Sequence, residues 1–207
     1  MRQIDHIVYT VPDLAAAMDW FEEISGIRPT FGGYHTTQGT KNAVVNLGNQ
    51  RYLEILAADE ENTAIQPPRW MGVDFLEKAQ MTRWSLKSND LPNDSAILKN
   101  YHKEMGRIQG GQRKTTSGNL LTWEMIMPLA APQLEVMPFM TDWQNSAVHP
   151  TDSMPQQCQL IDMQFIHPTP NLLVPTLTKL ALDLDLVVGE TISIKAIIQC
   201  PKGIITI

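Results

Sequence analysis

One pattern occurs twice in this amino-acid sequence, and the repeat narrows the folds open to it. Residues 5–14 run from Asp5-His6-Ile7-Val8 to Pro12-Asp13-Leu14, and residues 82–91 run from Thr82-Arg83-Trp84-Ser85 to Asn89-Asp90-Leu91, 77 positions later. Each is a short strand-like run that ends in Asp-Leu and opens a helix. At the same offset Asn42 meets Asn119 and Leu47 meets Glu124, and each copy closes on Leu-Glu-apolar, Leu53-Glu54-Ile55 and Leu134-Glu135-Val136. A supersecondary unit stated twice, with ionisable residues on matching strands, suggests one site built between two copies.

The first copy reads β-α-β-β-β. Residues 3–11 form a strand. Pro12 cannot donate to a sheet, and Asp13 is a good helix cap. Leu14, Ala17, Met18, Phe21 and Ile24 share one helical face, and Gly26 is the stop signal. Strands follow over 28–37, 41–47 and 50–57, with Gly48-Asn49 as the turn before the last. The second copy repeats this order: strand 81–87, helix 94–105 ended by Gly106, then strands 107–114, 120–127 and 133–137. The predicted organisation is a first module over 1–58, a connector over 59–80 with a short helix near Val73–Lys78, and a second module over 81–140. A loop over 141–157 leads to a partial third module over 158–207. In that tail Pro170-Asn171-Leu172 mirrors Pro12-Asp13-Leu14, a helix is expected over 173–184, and strands over 160–166, 191–198 and 203–207. The fold class is α+β: paired β-α-β-β-β modules plus a partial third module.

Bulk composition excludes several functions. A net charge of −6 without a Lys/Arg cluster argues against nucleic acid. No apolar run approaches the roughly 20 residues that span a bilayer, and no signal peptide is visible at the N-terminus. Cys158 and Cys200 are too far apart in sequence to suggest a disulfide scaffold or zinc knuckle and read as buried thiols. A cytoplasmic protein with a small-molecule ligand, no nucleic-acid or membrane partner, and room for a homodimer is the simplest expectation. Eleven methionines are read as core filling. No Gly-x-Ser-x-Gly, Walker loop or Gly-x-Gly-x-x-Gly junction is present, so the case for chemistry rests on the site between the two copies.

The β-α-β-β-β pair, with His6 on an opening strand and Glu54 on a closing one, resembles the vicinal oxygen chelate superfamily, which includes glyoxalase I, bleomycin-resistance proteins and extradiol dioxygenases. The nearer resemblance is to its glyoxalase-like subfamily. It is carried by Ile4-Asp5-His6-Ile7-Val8, Gly33-Tyr34-His35, Gly39-Thr40-Lys41-Asn42-Ala43, Tyr52-Leu53-Glu54-Ile55, Leu121-Thr122-Trp123, residues 138–143 and His149-Pro150, and it spans essentially the whole chain. The resemblance implies that the paired modules form a cupped, incomplete barrel around one site, with ligand positions at His6, Glu54, Arg83 and Glu135. His6, Glu54 and Glu135 would hold Zn, Mn, Fe or Ni. Arg83 cannot, because a guanidinium stays protonated and accepts nothing. It would instead neutralise a carboxylate or pair with an anionic ligand.

On the residues alone, His6 is either a site residue or a structural strand histidine. A carboxylate at Glu54, on one strand face with Tyr52 and Leu56, must be paired if buried. His35, flanked by glycines, faces either a ligand or solvent. Asn42, Arg113 and Trp123 are substrate-binding candidates, with a turn cap, an exposed cation and a packed aromatic as their respective alternatives. The loop with Asp142-Trp143 and His149-Pro150 either covers the mouth of the cup or only connects. The resemblance implies an enzyme of lyase, isomerase or dioxygenase type, in which Glu135 or Glu54 moves a proton. The rival reading is a metal-independent, bleomycin-resistance-like sequestration module.

Overall fold

The computed structural model describes residues 2–114, 118 and 120–207, with the backbone alone for Arg113 and Lys114; Asn119 lies outside the described residues. The first copy forms β1 (Ile4–Thr10), α1 (Leu14–Ser25), β2 (Thr30–His35), β3 (Thr40–Gly48) and β4 (Arg51–Ala58). Asp13 Oδ1 accepts the Ala16 N–H at 3.1 Å and so starts α1. The helix ends at Gly26, whose φ of +81° is left-handed and whose N–H returns to the Glu22 carbonyl. Leu14, Ala17 and Phe21 are its buried stripe.

The second copy forms β5 (Gln80–Lys87), α2 (Leu91–Tyr101), β6 (Ile108–Lys114), β7 (Leu120–Ile126) and β8 (Phe139–Asp142). Helix α2 starts three residues earlier than predicted. Asp90 accepts the Asn93 N–H, and Pro92 sits in the first turn, where a missing N–H costs nothing. It ends at Tyr101 because His102 is extended, four residues before the glycine predicted to stop it. In the connector, 3₁₀ turns over Trp70–Phe75 replace the predicted short helix.

The predicted closing strand over 133–137 does not form, and the strand falls at β8 instead. Pro132 and Pro138 bracket the stretch, and neither has an N–H to give to a ladder. The Arg83 guanidinium draws in the carbonyls of Leu129, Pro132 and Gln133, and the stretch is otherwise tied to β5 by the Glu135 N–H on the Thr82 carbonyl and the Trp84 indole on the Val136 carbonyl.

Eight strands form one sheet in the order β2-β3-β4-β1-β5-β8-β7-β6, which curls into a half-barrel. At its centre β1 and β5 run antiparallel, with His6 opposite Ser85 and Val8 opposite Arg83. Exchanging the two copies maps His6 onto Arg83 and Val8 onto Ser85, so this register reproduces the sequence offset. Along β1 and β4, Val8 and Leu56 face the hollow of the cup, where Val8, Leu56, Met71, Met125 and Phe139 pack together. Ile7, Tyr9, Leu53 and Ile55 face the opposite side and meet α1 and α2 in the main core.

The tail adds β9 (Gln159–His167), α3 (Val174–Lys179), β10 (Leu186–Val188), β11 (Ser193–Cys200) and β12 (Gly203–Thr206). These strands make a separate sheet, β10-β9-β11-β12, on the outer side of the large one. Phe165 packs on Trp84 with ring centroids 5.0 Å apart. Helix α3 is shorter than predicted; the chain turns at Ala181, φ +55°, and the Leu182 N–H closes back on Leu177. The sheet brings Cys158 and Cys200 together as buried free thiols with sulfurs 2.8 Å apart. Among the described residues no helix is long and apolar enough to cross a membrane.

Candidate active site

Strand alternation sends His6 from β1, Asn42 from β3, and Tyr52 and Glu54 from β4 into the hollow. They line a chamber of about 30 Å³, room for about one water molecule. Trp70 and Met71 from the connector, Trp123 and Met125 from β7, and Trp143 and Pro150 from the 143–151 loop complete its wall. The chamber shares His35, Trp70, Trp123 and Met125 with an outer cleft of about 650 Å³ at the mouth of the cup. Tyr34 and the amide side chains of Gln38, Gln109, Gln112 and Asn145 line that cleft. A Cβ on Gly111 would stand 2.5 Å from the Trp123 ring, so the glycine is what lets the indole lie against β6.

Glu54 is the charged centre of the chamber and is 4% exposed. Its Oε1 accepts the Asn42 amide at 2.5 Å, with His35 Nε2 at 3.8 Å; its Oε2 lies 3.9 Å from His6 Nε2. His35 Nδ1 is 3.0 Å from the Thr40 hydroxyl, which also accepts the Trp70 indole N–H at 3.0 Å. The His6 ring stacks on Tyr52 at 4.6 Å and meets the edge of Phe139 at 5.2 Å.

Behind His6 lies Asp5, which sequence reasoning missed. Successive strand residues normally face opposite ways, but the β1–β5 register shifts between Ile4 and His6, and the irregularity turns Asp5 toward its neighbour. Asp5 Oδ2 is 2.6 Å from His6 Nδ1, and Oδ1 accepts the Trp143 indole N–H at 3.0 Å and lies 3.5 Å from His149 Nε2. Burial pushes the Asp5 carboxyl up, but hydrogen bonds from His149 and His6 and the charges of both rings outweigh it and hold the group below the usual carboxylate range. The signal present in the sequence was an acidic residue directly before a strand histidine.

The structure gathers His6, His35, Asn42, Glu54 and Trp123 around the chamber and places Arg83 and Glu135 elsewhere. Arg83 is 1% exposed and donates to four backbone carbonyls: Thr82 at 2.7 Å, Pro132 at 2.6 Å, Leu129 at 3.0 Å and Gln133 at 3.1 Å. Desolvation lowers its pKa to about 10, with Glu135 opposing the shift, so it stays charged at neutral pH. Glu135 Oε1 accepts the Tyr101 hydroxyl at 3.1 Å and the Met137 N–H at 2.8 Å, and lines neither the chamber nor the cleft. Burial and Glu135 together push the Tyr101 hydroxyl above its ordinary pKa. The Arg113 side chain lies outside the described residues; its backbone pairs with Leu121 on the edge strand β6.

The register also shows why the four-ligand set is incomplete. Val8 pairs with Glu54, and the equivalent pair in the second copy is Ser85 with Phe139. The positional counterpart of Glu54 is therefore Phe139, and the counterpart of His6 is Arg83. Neither can coordinate a cation. Among the described residues no group of three His, Cys, Asp or Glu side chains is arranged to hold a metal ion. The donor set does not fit the divalent metal that the resemblance implied.

A half-barrel built from paired β-α-β-β-β units around a polar chamber defines a vicinal oxygen chelate fold. The glyoxalase-like domain family model matches residues 4–181, and the chain belongs to that family. A solved hypothetical protein from Staphylococcus aureus is 16% identical, with a TM-score of 0.63, covering 100% of this chain and 98% of that one. Methylmalonyl-CoA epimerase from Streptomyces coelicolor is 18% identical, with a TM-score of 0.45, covering 70% and 98%. The epimerase from Mycobacterium tuberculosis is 17% identical, with a TM-score of 0.43, covering 68% and 87%. No curated protein matches the chain at significance.

Proposed function

We propose that this protein is an enzyme that moves a proton on a small-molecule ligand, an isomerase or lyase acting without a bound metal, with Glu54 as the proton carrier. The observation behind this reading is the 3.9 Å gap between Glu54 Oε2 and His6 Nε2 at the floor of the cup. A ligand hydrogen held there would face two acceptors in a site largely closed to water, within reach of a general base. The larger part of the ligand would lie in the outer cleft against Trp70 and Trp123. Of the two carboxylates weighed as proton carriers, Glu54 is the one that reaches the chamber, which supports giving it the role over Glu135.

The test is a panel of small carbonyl compounds incubated with the protein in D₂O, without added metal and with Mn²⁺, Ni²⁺ or Zn²⁺. Carbon-bound deuterium is read by NMR. Metal-free exchange should occur and should fall by about 10²–10⁴-fold in Glu54→Gln, the range of a lost general base. Exchange that survives the substitution, or that needs a stoichiometric metal ion, overturns the proposal.

A second reading is sequestration without chemistry. It is favoured by the Asn42 amide, which donates to Glu54 at 2.5 Å and already occupies one of its oxygens. Binding by thermal shift with no exchange on any bound compound would select this reading.

A further inference from the structure

Three groups lie beyond the roles assigned above yet touch His6 or its partner: Asp5, Trp143 and His149. Asp5 is fully buried, and Trp143 and His149 come from a loop 138 and 144 residues further along the chain. We infer that these residues form a positioning brace that fixes which nitrogen of His6 faces the ligand. The inference rests on the proposal that the His6–Glu54 gap is the reacting site.

The hydrogens can be placed one at a time. The Thr151 backbone N–H points at His149 Nδ1 at 3.3 Å, and the Thr151 hydroxyl lies 2.8 Å from the same atom. A backbone N–H only donates, so Nδ1 of a neutral His149 accepts and its proton sits on Nε2, facing Asp5 Oδ1. The Trp143 indole also only donates, and it reaches the same oxygen. Asp5 thus receives two donors on Oδ1 and is held ionised. An ionised carboxylate only accepts, so the 2.6 Å contact from Oδ2 requires the His6 proton on Nδ1. In the neutral ring His6 Nε2 is then a bare lone pair aimed at the gap. With Glu54 Oε2 it makes a pair of acceptors, and the ligand has to bring the hydrogen that lies between them.

The charges around the brace agree. Lys87 and Asp152 sit beside it near His149, and Lys87 and Asp5 attract each other. Glu54 stands on the far side of the ring. The groups that face His6 from its two sides are thus the carboxylates of Asp5 and Glu54.

Replacing Asp5 by Asn gives a prediction of definite sign. Trp143 and His149 still donate, so they select the Asn carbonyl oxygen. The Asn NH₂ group is left facing His6 Nδ1, which must then accept, and the proton moves to Nε2. The experiment is long-range ¹H–¹⁵N NMR of the histidine rings in the ligand-free protein near neutral pH. Wild type should show His6 protonated on Nδ1 and bare on Nε2. Asp5→Asn should invert the two signals, and His149→Gln, which keeps a donor, should leave the wild-type pattern. Trp143→Phe, which removes one donor but leaves Asp5 an acceptor, should also keep the wild-type pattern, and the wild-type spectrum tests the inference by itself if Asp5→Asn does not fold. A wild-type His6 protonated on Nε2, a folded Asp5→Asn with the pattern unchanged, or a folded Trp143→Phe that has lost the Nδ1 proton would overturn the inference. The readout needs no ligand or turnover. If the tautomer inverts while deuterium exchange is untouched, the brace stands and His6 takes no part in the exchange, whereas exchange that survives Glu54→Gln sinks the proposed function without touching the brace.

Discussion

Arg83 offers the sharpest test of how this cup is held together. Arg83→Met keeps an unbranched chain of similar length and removes the four hydrogen bonds to the carbonyls of Thr82, Leu129, Pro132 and Gln133. Charge-assisted hydrogen bonds contribute about 1.5–3 kcal/mol each, a gross loss of about 6–12 kcal/mol. Two effects offset it. The buried cation is itself costly: its pKa falls from 12.5 to about 10, which at 1.36 kcal/mol per pH unit is on the order of 3 kcal/mol recovered when the charge is removed. The carbonyls of Pro132 and Gln133 lie in part-buried surroundings and can take water instead. The net expectation is a destabilisation of about 3–5 kcal/mol, in line with breaking a buried charge network. For a chain of this size that lowers Tm by about 6–20 °C. Urea unfolding followed by tryptophan fluorescence and circular dichroism measures it. Arg83→Lys, which keeps the charge but has three donors, should fall between the two. A loss below about 1 kcal/mol for Arg83→Met would refute the reasoning, as would a variant of wild-type stability that has lost ligand affinity, because Arg83 would then be serving the site.

Gly111→Ala drives a methyl group against the Trp123 ring; the expected cost is about 1–3 kcal/mol by denaturation, with a shifted tryptophan emission and weaker ligand binding as the cleft wall moves. The Asp5 pKa is held below its usual 3.8 in the folded protein, so its contribution to stability is present above pH about 4 and is lost as pH falls through the folded value. Urea midpoints measured between pH 7 and 2 should therefore fall less steeply with acid in Asp5→Asn than in wild type.

The first copy was largely legible because its signals are local. A period-two run, an Asp cap, a glycine stop and the Gly48-Asn49 turn each act within a few residues, and β1 to β4 lie close to their predicted bounds. The second copy was misread where distant groups decide. Residues 133–137 have strand-like composition, but Arg83, about 50 residues away, holds the carbonyls before them. The matching Leu-Glu-apolar triplets drew attention to Glu135, whereas the paired register aligns Glu54 with Phe139. At the site, the inward face of β4 followed from alternation, which set Glu54 beside Tyr52. Asp5 could not be placed that way, because an irregularity in strand pairing overrides the alternation that the sequence displays. The approach of Trp143 and His149 to Asp5 depends on how a long loop folds back, and no local pattern encodes it.

The unequal copies have a stereochemical consequence. The basic groups of the chamber, His6, His35 and Glu54, belong to strands of the first copy, while the second copy contributes Trp123 and Met125 to its wall. A flat intermediate lying between these walls would meet proton carriers on one face and hydrocarbon on the other. Removal and return of a proton would then be suprafacial, and a prochiral ligand would leave the cup with a single handedness.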